Sequence, residues 1–251
     1  MRYELSVLPD PNSYLANLRT AWDYLIQNDV SFQSMIGQHQ MLFTSGGIHD
    51  CEYFLHWHRI FLLDVENRIN DYWGTTDLAW PYYERSCACT GTIGPSYDYP
   101  ALHCNGGRPG IGGANNVYNA GTPPQGCGGS FASCGNLNAN IDSDISGIGP
   151  ASFCLLSNTI EASPGNHNAH HNAVGGTLAS GRAAESMMFF MIHTQIDAVW
   201  ERWQGEDVAR IAANAGIFPL PNFGTHVHTD VQQSNNMLYN GQCYNITYSH
   251  C

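Results

Sequence analysis

The chain has 251 residues, 43% of them hydrophobic, enough to bury a full core as a single domain spanning 1–251. Only 12% are charged and the formal net charge is −12, which disfavours phosphate backbones and anionic lipid, so no nucleic-acid or membrane partner is expected. No apolar run approaches the ~20 residues of a membrane span.

In chain order, apolar residues first recur at helical spacing over 15–27, through Leu15, Leu18, Ala21, Trp22, Leu25 and Ile26. Residues 31–41 repeat the pattern with Phe32, Met35 and Ile36, and Ser45-Gly46-Gly47 breaks it. A long amphipathic helix is expected over 52–72, with Gly74 as its stop. From 86 to 149 the composition turns to Gly, Asn, Ser, Pro and Cys. A loop that long is tolerated only when it is functional or pinned, and Cys87, Cys89, Cys104, Cys127 and Cys134 are expected to pin it by disulfides. Helical pattern returns at 167–174 and, strongly, over 182–203; beyond 219 the chain reads as coil with short strands. Nine cysteines and the glycosylation sequon Asn245-Ile246-Thr247 point to an oxidising compartment. The chain is therefore expected to be a mature secreted domain without its leader.

The twelve histidines are informative by position. His39 falls in the second helix, His49 just ahead of the third and His58 inside it. His167 and His171 are four apart, so on a helix they share a face with Cβ atoms about 5–6 Å apart, close enough to bind one metal. His193 sits within the apolar stretch 187–192, where a lone histidine is more often a core residue with one satisfied bond. Two sets of three on helices go beyond what core packing alone explains. Imidazole suits copper, zinc, iron and nickel alike, and a three-histidine zinc site is equally compatible with these residues. Residue chemistry thus reaches two three-histidine sites and leaves the metal open.

The run Phe54-Leu55-His56-Trp57-His58-Arg59-Ile60-Phe61-Leu62-Leu63, with His49 before it and Glu66 after, resembles the first copper motif of tyrosinases, catechol oxidases and molluscan haemocyanins. The segment Phe32 to His39 is similar to the haemocyanin-type stretch carrying that copper's first ligand. His167-Asn168-Ala169-His170-His171-Asn172-Ala173-Val174-Gly175-Gly176 resembles the second motif, and Phe189 to Trp200 its last helix. Trp80-Pro81-Tyr82-Tyr83 and Tyr244 to Tyr248 match weaker marks. The chain differs in four places: His39 and His49 are closely spaced, Ser186-Met187 replaces an Asp-Pro, and Ile192 stands where the family doubles its last histidine. Cys51 follows His49 instead of preceding it, so no thioether crosslink to a copper histidine is expected.

The resemblance implies a mainly α fold, a four-helix bundle around a binuclear copper site, with the Gly/Cys-rich 86–149 insertion and few short strands. It implies two copper ions, Cu-A on His39, His49 and His58 and Cu-B on His167, His171 and His193, with dioxygen as co-substrate. The implied substrates are small phenols and catechols: catechols would go to ortho-quinones, and monophenols would be hydroxylated ortho to the oxygen. Asn168, with Glu161 nearby, is implied to orient a water that deprotonates a monophenol. Asp197, one turn beyond His193, is a candidate for anchoring a ligand imidazole, or else an ordinary ion-pair partner of an arginine. His56 is expected to pack behind the metal, His170 to face away, and His226 and His228 to lie at the surface. All nine cationic residues are arginine; compositional drift explains this, although a lysine amine would also be attacked by a quinone product. The alternative is a haemocyanin-like oxygen carrier, whose site is covered by a trailing β-rich domain; too few residues follow His193 for one. A zinc hydrolase leaves two three-histidine sets unexplained.

Overall fold

The structure, a computed structural model, describes residues 1–3, 7–49, 51–82, 145–162, 167–168, 171, 176–213 and 219–249. It is mainly helical. Helix α1 (Pro11–Asn28) is started by Asp10, whose side chain accepts from the Ser13 amide, with Pro11 in the first turn where its missing N–H costs nothing. Asp29 ends α1 and caps α2 (Val30–Ser45), accepting from the Ser31 and Phe32 amides. Helix α2 stops at Gly46 and α3 (Phe54–Trp73) at Gly74, with φ of 76° and 63°; this left-handed backbone costs glycine nothing. The third helix starts at Phe54, two residues later than its periodicity suggests.

A nine-residue helix, α4 (Phe153–Glu161), follows the insertion and is absent from the sequence expectation. The expected 182–203 helix is α5 (Met187–Glu206): Ser186 accepts from the Met188 amide and fixes the start, and a short 3-10 turn occupies 183–185. Residues 167, 168 and 171 are helical; the rest of the expected 167–174 helix, and residues 86–144 of the insertion with its five cysteines, lie outside the described residues. The strands β1 (Met237–Tyr239) and β2 (Gln242–Tyr244) form an antiparallel hairpin, with Leu238 opposite Cys243. Its turn is Asn240-Gly241, both at positive φ, as a two-residue hairpin requires.

Helices α3 and α5 pack against each other at the centre. Residues 54–63 of α3 and 187–200 of α5 are buried on every side, as an interior helix must be, whereas α1 and α2 bury one face. Trp57, Trp80, Trp200 and Trp203 are fully buried between them. No described helix is long and apolar enough to cross a membrane.

Cys51 and Cys154 form a disulfide across a sequence separation of 103, which in the chain-entropy picture restricts the unfolded chain by roughly 4–5 kcal/mol. Among the described residues, Cys243 is a free, exposed thiol. Asn245 of the sequon is exposed.

The amino-terminal segment is sewn to the carboxyl-terminal one. The Arg2 amide donates to the Thr247 carbonyl at 2.9 Å and the Ser249 amide to the Arg2 carbonyl at 3.1 Å. The Arg2 side chain is fully buried, donating to both oxygens of Glu66 at 2.9 Å and to Asp197 at 2.6 Å.

Candidate metal centre

Six histidines converge at the middle of this bundle. Helix α2 supplies His39, the turn ahead of α3 supplies His49, and α3 supplies His58. The helical residues at 167 and 171 supply two more, and α5 supplies His193. One potential ligand atom from each of His39, His49 and His58 lies within 4.8 Å of the others, and the same holds for His167, His171 and His193. Both trios assumed from sequence are thus brought together, and His39 belongs to the first despite its short spacing.

The two trios adjoin. His58 and His193 stack face to face with ring centroids 4.1 Å apart, and His49 and His167 are 5.5 Å apart. Phe189 lies under both, 4.7 Å from His39 and 4.1 Å from His193.

Five of the six rings are aimed by the outer nitrogen; His193 Nδ1 is buried without a hydrogen-bond partner. Taken as Nδ1–H donors, His58 bonds the Phe54 carbonyl at 2.7 Å, His39 that of Gly181 at 3.1 Å and His171 that of Leu178 at 2.6 Å. His167 bonds Asn168 Oδ1 at 2.9 Å, and His49 bonds Glu161 Oε1 at 2.8 Å. The Nε2 atoms of His39, His49, His58 and His171 are buried with no hydrogen-bond partner. Orphaned buried nitrogens are costly unless something else engages the lone pair. His167 Nε2 faces His193 Nε2 at 3.3 Å. Two nitrogens each about 2.0–2.1 Å from one first-row ion lie roughly 3–3.5 Å apart, so that spacing fits a shared metal. The donor set is all imidazole, which suits copper and zinc alike.

Burial, then the charge of neighbouring imidazoles, lowers the His39 ring to about 3; burial is also the main cause that takes His171 to about 4. The same two causes hold His58, His167 and His193 well below the ordinary histidine value. These rings are neutral at pH 7, with lone pairs free for a metal. An unfolded histidine takes its proton near 6.5 and a folded one only near 3–4, so below about 6.5 the unfolded state binds more protons. Stability of the metal-free protein should be full above that value and fall as pH drops towards 4. Between pH 7 and 5 a urea titration should lose on the order of 2 kcal/mol or more, the contribution of one such ring. Equal urea midpoints at the two pH values would contradict it.

A cavity of about 260 Å³ opens onto both trios, lined by His39, His49, His167, His171, Phe43, Asn168, Leu178, Ala179, Ser180 and Ala183. Phe43, one turn beyond His39, stands edge-on to His49 at 5.0 Å and is 43% exposed. A larger cavity of about 690 Å³ lies between α3 and the hairpin and touches none of the six histidines.

The remaining sequence candidates fall as follows. Glu161, the last residue of α4, and Asn168 both reach the centre through ligand rings, at His49 and His167. Asp197 anchors no imidazole: its carboxylate accepts from Arg59 at 2.5 Å, from Arg2 at 2.6 Å and from the Tyr248 hydroxyl, so the ion-pair reading holds. His56 turns away from the trios, bonding Gln232 at 2.6 Å and packing on Trp200. His226 sits 3.4 Å from Asp230; His103, His170 and His250 and the side chain of His228 lie outside the described residues. Sequence reasoning missed the Gly181 and Leu178 carbonyls, Phe43 and the partner of Cys51. None of these has a residue-type signature at a distance.

The common central domain of tyrosinase matches residues 29–109 and 133–206, well over half of the chain and including all six histidines. No curated protein matches. Among solved structures, the chain is similar to a point mutant of the polyphenol oxidase from Thermothelomyces thermophila. The two are 15% identical with a TM-score of 0.65, over 98% of this chain and 88% of that one. That likeness shows the fold.

Proposed function

The chain belongs to the tyrosinase family of copper oxidoreductases, and from that premise we propose that it is a phenol oxidase acting on small catechols and monophenols with dioxygen. Catechols go to ortho-quinones, two of them giving four electrons and four protons to one dioxygen to leave two waters. Monophenols are hydroxylated ortho to their oxygen and leave as the same quinones, one dioxygen giving the inserted oxygen atom and one water. The observation that carries this reading is the pair of adjoining imidazole trios, with four of the six inward nitrogens buried and unpartnered, opening on one shared cavity. His39, His49 and His58 hold Cu-A, and His167, His171 and His193 hold Cu-B. A bound copper pair supplies the redox chemistry toward dioxygen.

The protein's own contribution is placement. Helices α2, α3 and α5 fix the trios side by side, the Phe189 floor excludes water from beneath, and the cavity admits a flat ring beside Phe43. A monophenol must also lose a proton with a pKa near ~10. Asn168, which lines the cavity, and the Glu161 carboxylate are proposed to hold the water that takes it, since a general base acts directly or through one water.

Replacing Asn168 by Ala is expected to lower monophenol turnover about 10²-fold, the range of general-base catalysis, while catechol turnover falls far less. Steady-state rates on a matched phenol and catechol test this. A comparable loss on both would reduce Asn168 to a support for His167. An oxygen carrier would share the copper pair; wild-type protein that binds oxygen reversibly yet oxidises no catechol would replace the oxidase reading with that one.

A further inference from the structure

Of the six histidines, five lie on helical backbone; His49 alone sits in the irregular turn between Gly46 and α3. Four of the other five are aimed by an uncharged oxygen, three of them within seven residues and His39 by the Gly181 carbonyl 142 positions away. His49 is instead gripped by a carboxylate 112 positions away, Glu161 at the end of α4. Two residues beyond His49, Cys51 is covalently bonded to Cys154, at the start of the same α4. Cys154 and Glu161 are seven residues apart, so they project from one face of that helix two turns from each other. The neighbouring apolar face of α4 is anchored in the core by the buried Phe153, Leu156 and Ile160. The helix therefore meets the His49 turn at both of its ends, by a bond at one and a charged hydrogen bond at the other.

We propose that Glu161 and the Cys51–Cys154 disulfide form a two-point clasp that positions His49 as a Cu-A ligand, taking the place of the helix that holds every other ligand. The proposal rests on the copper reading above. The carboxylate fixes the proton on Nδ1, turns Nε2 inward and makes the ring a better donor; removing such a partner typically costs 10–100-fold in metal affinity. The disulfide restricts the turn so that the ring stays within reach of Glu161. Glu161 is in this respect a positioning residue, acting through His49.

The test compares wild type with Glu161→Ala, Glu161→Gln and the double variant Cys51→Ala/Cys154→Ala, all loaded with copper and dialysed against a graded chelator series. Glu161→Ala should weaken one of the two ions 10–100-fold, so that copper per chain steps from two to one at a chelator strength where wild type keeps both. Glu161→Gln, which retains an acceptor for Nδ1–H, should fall between the two. The disulfide variant should lose the same single ion, and adding Glu161→Ala to it should cost less than the two effects combined. In the metal-free proteins, hydrogen exchange over residues 46–53 should quicken in both while residues 54–73 stay protected. Loss of both ions together, or of neither, in the Glu161 variants overturns the clasp, as does unchanged exchange over 46–53. Wild-type protein that holds two coppers but oxidises no catechol would sink the oxidase reading and leave the clasp to stand or fall on these same measurements.

Discussion

Copper-loaded protein treated with hydrogen peroxide is expected to hold two ions per chain and to show an intense near-ultraviolet band, and replacing His58 or His171 by alanine should abolish that band. Each variant removes one of three nitrogens from its site; among the described residues, the only further cluster, His49, Glu161 and His167, draws on two of the remaining histidines. Copper per chain should fall from two to about one, and a band that needs both ions should disappear. The fold should survive. His58 lies mid-helix, where alanine is the better helix former, and its only hydrogen bond returns to the Phe54 carbonyl of its own helix. Wild-type protein with one metal or none, or a band that persists in either variant, would contradict the assignment of the trios.

Much of this architecture is written in short-range sequence signals. Asp10, Asp29, Gly46 and Gly74 mark helix ends because capping and left-handed turns act over two or three residues. The four-residue spacing of His167 and His171 likewise needs only helical geometry, and their rings are 4.4 Å apart. Helix α4 escaped notice because Gly147, Gly149 and Pro150 run straight into it, and its nine residues, just past the 86–149 insertion, are too few to show a clear period. Contacts that depend on the tertiary fold left no trace. Glu161 meets His49 across 112 positions and Arg2 meets Asp197 across 195. Nine cysteines permit too many pairings for Cys51 to name Cys154. Gly181 and Leu178 act through carbonyls, which every residue has. Asp197 misled for a geometric reason. Spacing puts it one turn beyond His193, but that turn faces Arg59 of α3 rather than another ligand.

The same carboxylate yields the largest stability effect expected from a single substitution away from the histidines. Asp197 is 3% exposed and receives Arg59 on one oxygen; Arg2 and the Tyr248 hydroxyl share the other. Arg59 is further held over the Trp200 ring at 3.6 Å and donates to the carbonyls of Val231 and Gln232. Burial pushes the Tyr248 phenol well above its ordinary value, so it stays a donor. Two buried guanidinium groups therefore share two carboxylates, Asp197 and Glu66. Asp197→Asn keeps the shape and removes one charge, leaving a cation uncompensated in the interior. Breaking a buried pair this way costs about 3–5 kcal/mol, which for a chain of this size lowers the thermal midpoint by roughly 6–20 °C. The damage should reach the metal centre, because Asp197 sits one turn from His193 and Arg59 adjoins His58. Their ion pair bolts together the two helices whose histidines stack at 4.1 Å. Circular dichroism melts of metal-free protein give the first quantity, and chelator competition gives the second. A midpoint within about 2 °C of wild type would mean that water or rearrangement satisfies the arginines, and that the network does not hold α3 against α5.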